Sequence, residues 1–328
     1  MKTKKSGSDN ILLIIFYILL TLIAAICIFP IIFAVIGSFT PESEVAIHGF
    51  TLFPKVLSTE TYQYVFQSQG GKLLNAYKNS IITTIGGTAL SVFITVCYAY
   101  VLSVKGFRFG NKLAFFAYFT MLFNGGMLAW YLVCTKYLGM KDSYLAMFLP
   151  YAMNVFNMYL MRNFFNGLPY ELVESAKIDG AGHFRILAQI ILPLSKAGIV
   201  TITLFYALQY WNDFYLPLML INDEKYYTIQ YILYKMMSNI QYLAANPSSS
   251  VASHIILPAQ TIKMAITCIA IGPIILIYPF IQKHFVKGVT VGALKGDVYK
   301  RQLYSLVFYG KYHLLPAPPA GFYYGAAE

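Results

Sequence analysis

The chain has 328 residues, of which 58% are hydrophobic and 11% charged, whereas soluble domains carry about 25% charged residues. Charge this sparse cannot cover a water-facing surface, which excludes soluble, disordered and fibrous classes and leaves a multi-span membrane protein. The formal charge of +11 fits basic residues gathered at the cytoplasmic ends of spans, so no nucleic-acid partner is inferred from it.

Residues 1–10 hold Lys2, Lys4 and Lys5, and an apolar stretch follows at 11–39. That stretch exceeds the roughly 7–15 apolar residues of a secretion signal and has no small-residue cleavage site after it, so it reads as a retained span. Residues 41–79 read as a long, mixed outer loop. Further apolar stretches lie at 80–104, 113–134, 144–160, 197–220 and 264–281, the fourth being the shortest; a crossing needs about 20 residues. Asp213 is the one acid inside an apolar run. With the N-terminus inside, sixteen basic residues fall on inner segments and eight on outer ones, which sets both termini in the cytoplasm. The predicted fold class is therefore an all-α membrane protein with six transmembrane helices. Cys27, Cys97, Cys134 and Cys268 sit in or beside apolar runs without a CxxC pair and read as small core hydrophobes. The last outer loop, 222–263, contains Asn246-Pro-Ser-Ser-Ser250, a turn signal.

The inner segment 165–193 has internal order. Pro169 suits a first helical turn, and Glu171 and Glu174 place negative charge at the positive end of the helix dipole. Leu172, Ala176 and Asp179 share one face by their spacing. Gly180 and Gly182 are expected to break the helix, and a second short helix from about His183 runs to Pro193. Two readings of this helix–glycine–helix remain open on pattern alone: docking into a groove of a soluble partner, or an amphipathic segment lying on lipid headgroups.

Glu174-Ser-Ala-Lys-Ile-Asp-Gly-Ala-Gly182, followed by Ile190-Ile-Leu-Pro193, resembles the EAA loop of ABC-importer permeases. Asn154-Val-Phe-Asn-Met-Tyr-Leu-Met-Arg-Asn-Phe-Phe165 and Trp211-Asn-Asp-Phe-Tyr-Leu-Pro-Leu218 resemble the fourth-span ending and the fifth-span block of the carbohydrate-uptake branch. Phe123-Asn-Gly-Gly126 and Tyr137-Leu-Gly-Met-Lys-Asp142 resemble the subgroup that handles complex, polysaccharide-derived oligosaccharides. The likeness covers residues 11–295. Two departures stand out. Leu128-Ala-Trp-Tyr131 lacks the proline that usually precedes the tyrosine, and residues 296–328 have no counterpart and read as a non-native or disordered tail.

The resemblance implies a permease subunit of the bacterial plasma membrane that forms half of a sugar path. Its partners would be a second permease subunit, an extracellular solute-binding protein, an ATPase dimer carrying ATP and Mg, and membrane lipid. Coupling to the ATPase would fall to Glu171, Glu174, Ala176, Asp179, Gly180 and Gly182, with Glu174 facing a basic residue and Ala176 permitting close approach. Carrying an uncharged, hydrogen-bonding sugar through hydrocarbon requires replacement polar partners. Asn154, Asn157, Tyr206, Gln209, Tyr210, Trp211 and Asn212 could supply them. This chain has no nucleotide-binding GxxxxGK[ST], no HExxH and no ionisable relay within the spans. No enzyme activity and no cofactor of its own are therefore expected. The alternatives are an ABC permease for a non-sugar solute, an ion-coupled sugar carrier and a membrane-embedded enzyme.

Overall fold

The computed structural model describes residues 7–245, 260–272 and 275, and every regular element in that range is helical. α1 (Gly7–Ser38) contains the most apolar stretch, Leu12–Ser38, with a mean hydropathy of 3.1. An uninterrupted helix satisfies its backbone internally, as hydrocarbon demands. Most of α1 stands clear of the other helices, and only its C-terminal end packs. There Tyr62 donates its hydroxyl to Ser38 Oγ at 2.9 Å. Cys27, expected in a core, is exposed on α1, whereas Cys134 is buried.

The expected outer loop 41–79 is largely helical. α2 (Glu42–His48) is followed by α3 (Glu60–Ser103), a 44-residue helix that begins twenty residues before the predicted span. Gln67-Ser-Gln-Gly-Gly71 looks like a loop in sequence. Burial of Val65, Leu73 and Ala76 against the rest of the bundle overrides the weak local propensity. Glu42 accepts from the N–H and hydroxyl of Thr261, at 3.0 and 2.8 Å. It thereby caps the short apolar helix α14 (Gln260–Gly272) with a favourable negative charge.

The predicted third, fourth and fifth spans are broken. α4 (Gly110–Leu122) and α5 (Met127–Leu132), extended by a π turn at Val133–Tyr137, meet at 113°. Gly126, with φ +84°, makes the corner. α6 (Tyr144–Phe148) passes through a 3₁₀ turn, Leu149–Tyr151, before α7 (Val155–Asn166). After α8 (Glu171–Ile178) come α9 (His183–Ile186), a π turn and α10 (Leu192–Leu194), then α11 (Lys196–Trp211) at 84° to that pair. α12 (Tyr215–Leu220) and α13 (Ile229–Ala245) follow. Among the described residues, two helices could each cross a membrane alone by length and composition, or four segments if each bent pair counts as one span. The remainder of the predicted sixth span, the Asn246–Ser250 turn and the tail 296–328 lie outside the described residues.

α3 is the central post, packed on α11 and α7. One buried cluster, around Met158, Met161, Ile186 and Ile202, lies toward α8. The other, around Met147, Leu216, Leu220, Ile229 and Ile266, lies at the far end. Gly87 lets α3 approach α11: a Cβ there would stand 2.6 Å from the Tyr210 ring.

At the far end a hydrogen-bonded clasp ties the loops together. Asp142, at φ +55°, accepts from the N–H groups of Asn222 and Asp223 at 2.5 and 2.9 Å. Asn79 of α3 is 1% exposed. It donates to the carbonyls of Lys225 and Tyr227 at 2.7 and 3.0 Å and accepts from the Tyr144 hydroxyl at 2.8 Å. Asn79→Ala strands the Tyr227 carbonyl and the Tyr144 hydroxyl, each worth about 1–3 kcal/mol if left unsatisfied, while the Lys225 carbonyl keeps its bond from Asn75 at 2.9 Å. The expected result is a thermal midpoint lowered by several degrees in detergent-solubilised protein. An unchanged midpoint would remove the clasp from the stabilising contacts. Lys72 and Glu224 also pair here at 2.7 Å. The lysine holds the Glu224 carboxyl below its ordinary range, so the contact persists at neutral pH and is lost as pH falls through that lowered value. Both side chains are exposed, which limits its worth.

Candidate functional site

Two groups of residues carry the site predicted from sequence. The first is the lever formed by α8, the bend and α9. Glu171 and Glu174 lie in the first turn of α8 and Lys177 in its last, each matched to the helix dipole. Asp179 is the C-cap. Gly180 N–H donates to the Lys177 carbonyl at 3.0 Å and Ala181 N–H to the Ala176 carbonyl at 2.9 Å. With Gly180 at φ +76°, this is a Schellman ending, which places a left-handed residue just past the cap. Gly182 differs from the expectation. It is the N-cap of α9 with φ −71°, which any residue adopts, and space surrounds it. One glycine, not two, makes the bend.

The two arms of the lever are anchored unequally. Ile186 and Ile191 after the bend are 1% and 4% exposed in the cluster with α3, α7 and α11. The Tyr100 hydroxyl also lies 3.0 Å from His183 Nδ1. α8 itself buries no residue completely. Val173 and Ala176 pack partly against the bundle. Glu171, Glu174 and Asp179 are exposed. Beside them lie two nearly bare apolar side chains, Ile178 at 82% and Phe184 at 83% exposed. Sequence reasoning passed over both, although an isoleucine and a phenylalanine flanking a glycine bend are a signal for an apolar anchor.

The second group is the predicted sugar path, and the structure divides it. Tyr206 and Tyr210 are 0% and 2% exposed. They sit one helical turn apart on α11 and face Thr95 and Ser91 on α3. Tyr206 Oη is 2.6 Å from Thr95 Oγ1 and accepts from Asn154 N–H at 2.9 Å. Tyr210 Oη is 2.9 Å from Ser91 Oγ and donates to the Phe148 carbonyl at 2.8 Å. Ser91 also reaches the Tyr151 carbonyl at 3.3 Å. These groups satisfy the backbone freed by the α6–α7 break, which is how a broken helix survives at membrane depth. Asn154 caps α7 by accepting from Asn157 N–H at 3.2 Å, and the Asn157 side chain is buried. Gln209 and Asn154 are half-buried and Asn212 is exposed. These three are the least buried of the predicted path residues, whereas the tyrosine pair is bonded to the helix break.

Trp211 packs on Tyr77 with ring centroids 6.5 Å apart, and its buried indole N–H has no partner among the described residues. Asp213, which the sequence marked only as a lone acid, ends one helix and starts the next. It is 8% exposed and accepts from the N–H groups of Tyr215 and Leu216, at 3.1 and 3.4 Å, and from the Tyr151 hydroxyl at 3.3 Å. An aspartate just before a short apolar helix is an N-terminal signature, so this role was open to sequence reasoning. The Trp211–Leu218 block is thus a built kink.

A broken-helix bundle with a glycine-hinged lever at one end defines a membrane transport subunit. Residues 113–291 match the binding-protein-dependent transport system inner membrane component, and the chain belongs to that family. It is 41% identical to Protein LplC of Bacillus subtilis, over 84% of this chain and 91% of that one. It is 40% identical to the polygalacturonan/rhamnogalacturonan transport system permease protein YtcP of the same organism, over 85% and 96%. Its fold matches a bacterial ABC transporter involved in the import of the acidic polysaccharide alginate, with TM-score 0.74 and 29% identity over 87% of this chain and all of that one.

Proposed function

We propose that this chain is one of two permease subunits of an ATP-driven importer that carries polysaccharide-derived oligosaccharides across a bacterial plasma membrane. The reading takes six crossings with both termini and α8 in the cytoplasm, which the bias of basic residues toward those segments supports. The observation that carries the reading is the lever: an exposed, acid-bearing α8 joined through one left-handed glycine to a rigidly anchored second arm. The substrate class rests on the family and on two relatives whose names specify transport of polysaccharide material.

A separate ATPase dimer would grip α8, with Glu171 and Glu174 meeting basic groups and Ile178 and Phe184 entering an apolar groove. ATP and Mg belong to that partner. Closing the dimer would push α8, and the buried second arm would pass the displacement to α3, α7 and α11. Gln209, Asn154 and Asn212 would offer hydrogen bonds to the passing sugar, and the far end, including α13, would face the solute-binding protein.

Three measurements test this. A cysteine replacing the exposed Ser175 on α8 should react with a membrane-impermeant maleimide only from the cytoplasmic side. Labelling in intact cells would reverse the orientation. In vesicles holding both permeases, the ATPase and the binding protein, oligosaccharide uptake should require ATP. The double variant Ile178→Asp/Phe184→Asp should lower ATPase retention about tenfold or more, since each buried apolar anchor is worth about 1.5–3 kcal/mol. Full retention would remove those side chains from the interface.

A further inference from the structure

We propose that a cleft behind α8 binds a phosphate group, supplied by an anionic glycerophospholipid of the leaflet on the α8 side. The cleft encloses about 180 Å³ between the end of α3, the α7–α8 connection and the start of α9. Lys105, Lys177 and His183 line it, and no carboxylate does. Neither lysine forms a salt bridge among the described residues. Lys105 instead rests 3.9 Å above the Tyr170 ring, which fixes its position without neutralising its charge. Tyr100 holds His183 through Nδ1 at 3.0 Å, and Asn166 also lines the cleft. Glu171, Glu174 and Asp179 are exposed outside this lining. The acidic surface of the lever and its cationic back are therefore separate, and a headgroup in the cleft leaves the outer surface of α8 open.

Two features favour a lipid over a free ion. Apolar side chains share the cleft, Phe165 and Ile191 among them, which suits an amphiphile. Next to it, the α3–α4 linker carries Phe107 and Phe109, 40% and 50% exposed. The cationic groups of Arg108 and Lys112 lie 5.8 and 5.9 Å from the Phe109 ring. Basic groups alternating with exposed aromatics form an anchor at an anionic interface. A phosphodiester between Lys105 and Lys177 would bridge the fixed post α3 to the movable α8, so lipid charge would set how firmly the lever rests.

The test needs neither ATPase nor sugar, so its failure leaves the transport reading untouched. Full-length protein is purified from vesicles of mixed phosphatidylglycerol and phosphatidylcholine, and the retained lipids are counted by native mass spectrometry. Wild type should retain phosphatidylglycerol in preference. Lys105→Gln and Lys177→Gln should each lower the preference about fivefold, the worth of one lysine near an anionic surface. Lys141→Gln, at the opposite end of the bundle, should not change it. Equal retention by wild type and the Lys105→Gln/Lys177→Gln double variant overturns the site. So does an equal loss in Lys141→Gln, which would mark general surface charge. Competition by millimolar inorganic phosphate would overturn the lipid assignment and make the free anion the ligand.

Discussion

Replacing Gly180 with valine is expected to lower oligosaccharide uptake about tenfold while leaving the protein in the membrane at wild-type abundance. Gly180 holds φ +76°, and its N–H and that of Ala181 close the Schellman ending of α8. An L-residue in the left-handed region costs about 1–2 kcal/mol, with β-branched side chains at the upper end. That is a roughly tenfold shift in the population holding the bend. Nothing lies within 4 Å of a Cβ at this position, so the penalty is conformational and the bundle beyond should be unaffected. Asparagine tolerates left-handed dihedrals, so uptake should fall in the order Gly, Asn, Ala, Val. Gly182→Ala is the control: φ −71° accepts alanine, and uptake should remain near wild type. Wild-type uptake by Gly180→Val in reconstituted vesicles would sink the lever.

Gly87→Ala should produce the largest loss of stability. Its Cβ would lie 2.6 Å from two atoms of the Tyr210 ring, far inside van der Waals contact. The ring is pinned by bonds to Ser91 and the Phe148 carbonyl, so it cannot retreat without releasing them. Overpacking costs about 1–3 kcal/mol, and releasing a buried polar group adds about 1–3 kcal/mol. At about 2–4 °C per kcal/mol for a chain of this order, the thermal midpoint should fall by roughly 5–20 °C. Tyr210→Phe keeps the ring and loses only the hydroxyl bonds, so its loss should be smaller. The double variant should lose less than the sum of the two, because the sites share Tyr210. Strict additivity would show that ring and hydroxyl act independently.

Both predictions rest on residues that the sequence exposed to different degrees. Gly180 was legible because helix endings follow local chemistry: acidic residues, a short helix and then glycine can be read within one window. Gly182 was over-read, since a glycine that needs its freedom and one that does not look alike in sequence. Ile178 and Phe184 were missed because exposure belongs to the folded bundle. The path residues were assigned by residue type, yet Tyr206 and Tyr210 spend their hydroxyls on a broken backbone 52 and 62 residues earlier in the chain.

Composition settled that this is a membrane protein, because too few charges exist to cover a soluble surface, and apolar stretches of about 20 residues made it helical. Motif spacing settled the family and the position of the lever, because both are written in contiguous residues. Tertiary structure decided where helices break, how far α3 extends and which polar groups remain available to a solute. Those outcomes depend on which distant side chain satisfies each freed N–H or carbonyl, and that pairing is fixed only when α3, α7 and α11 close around one another.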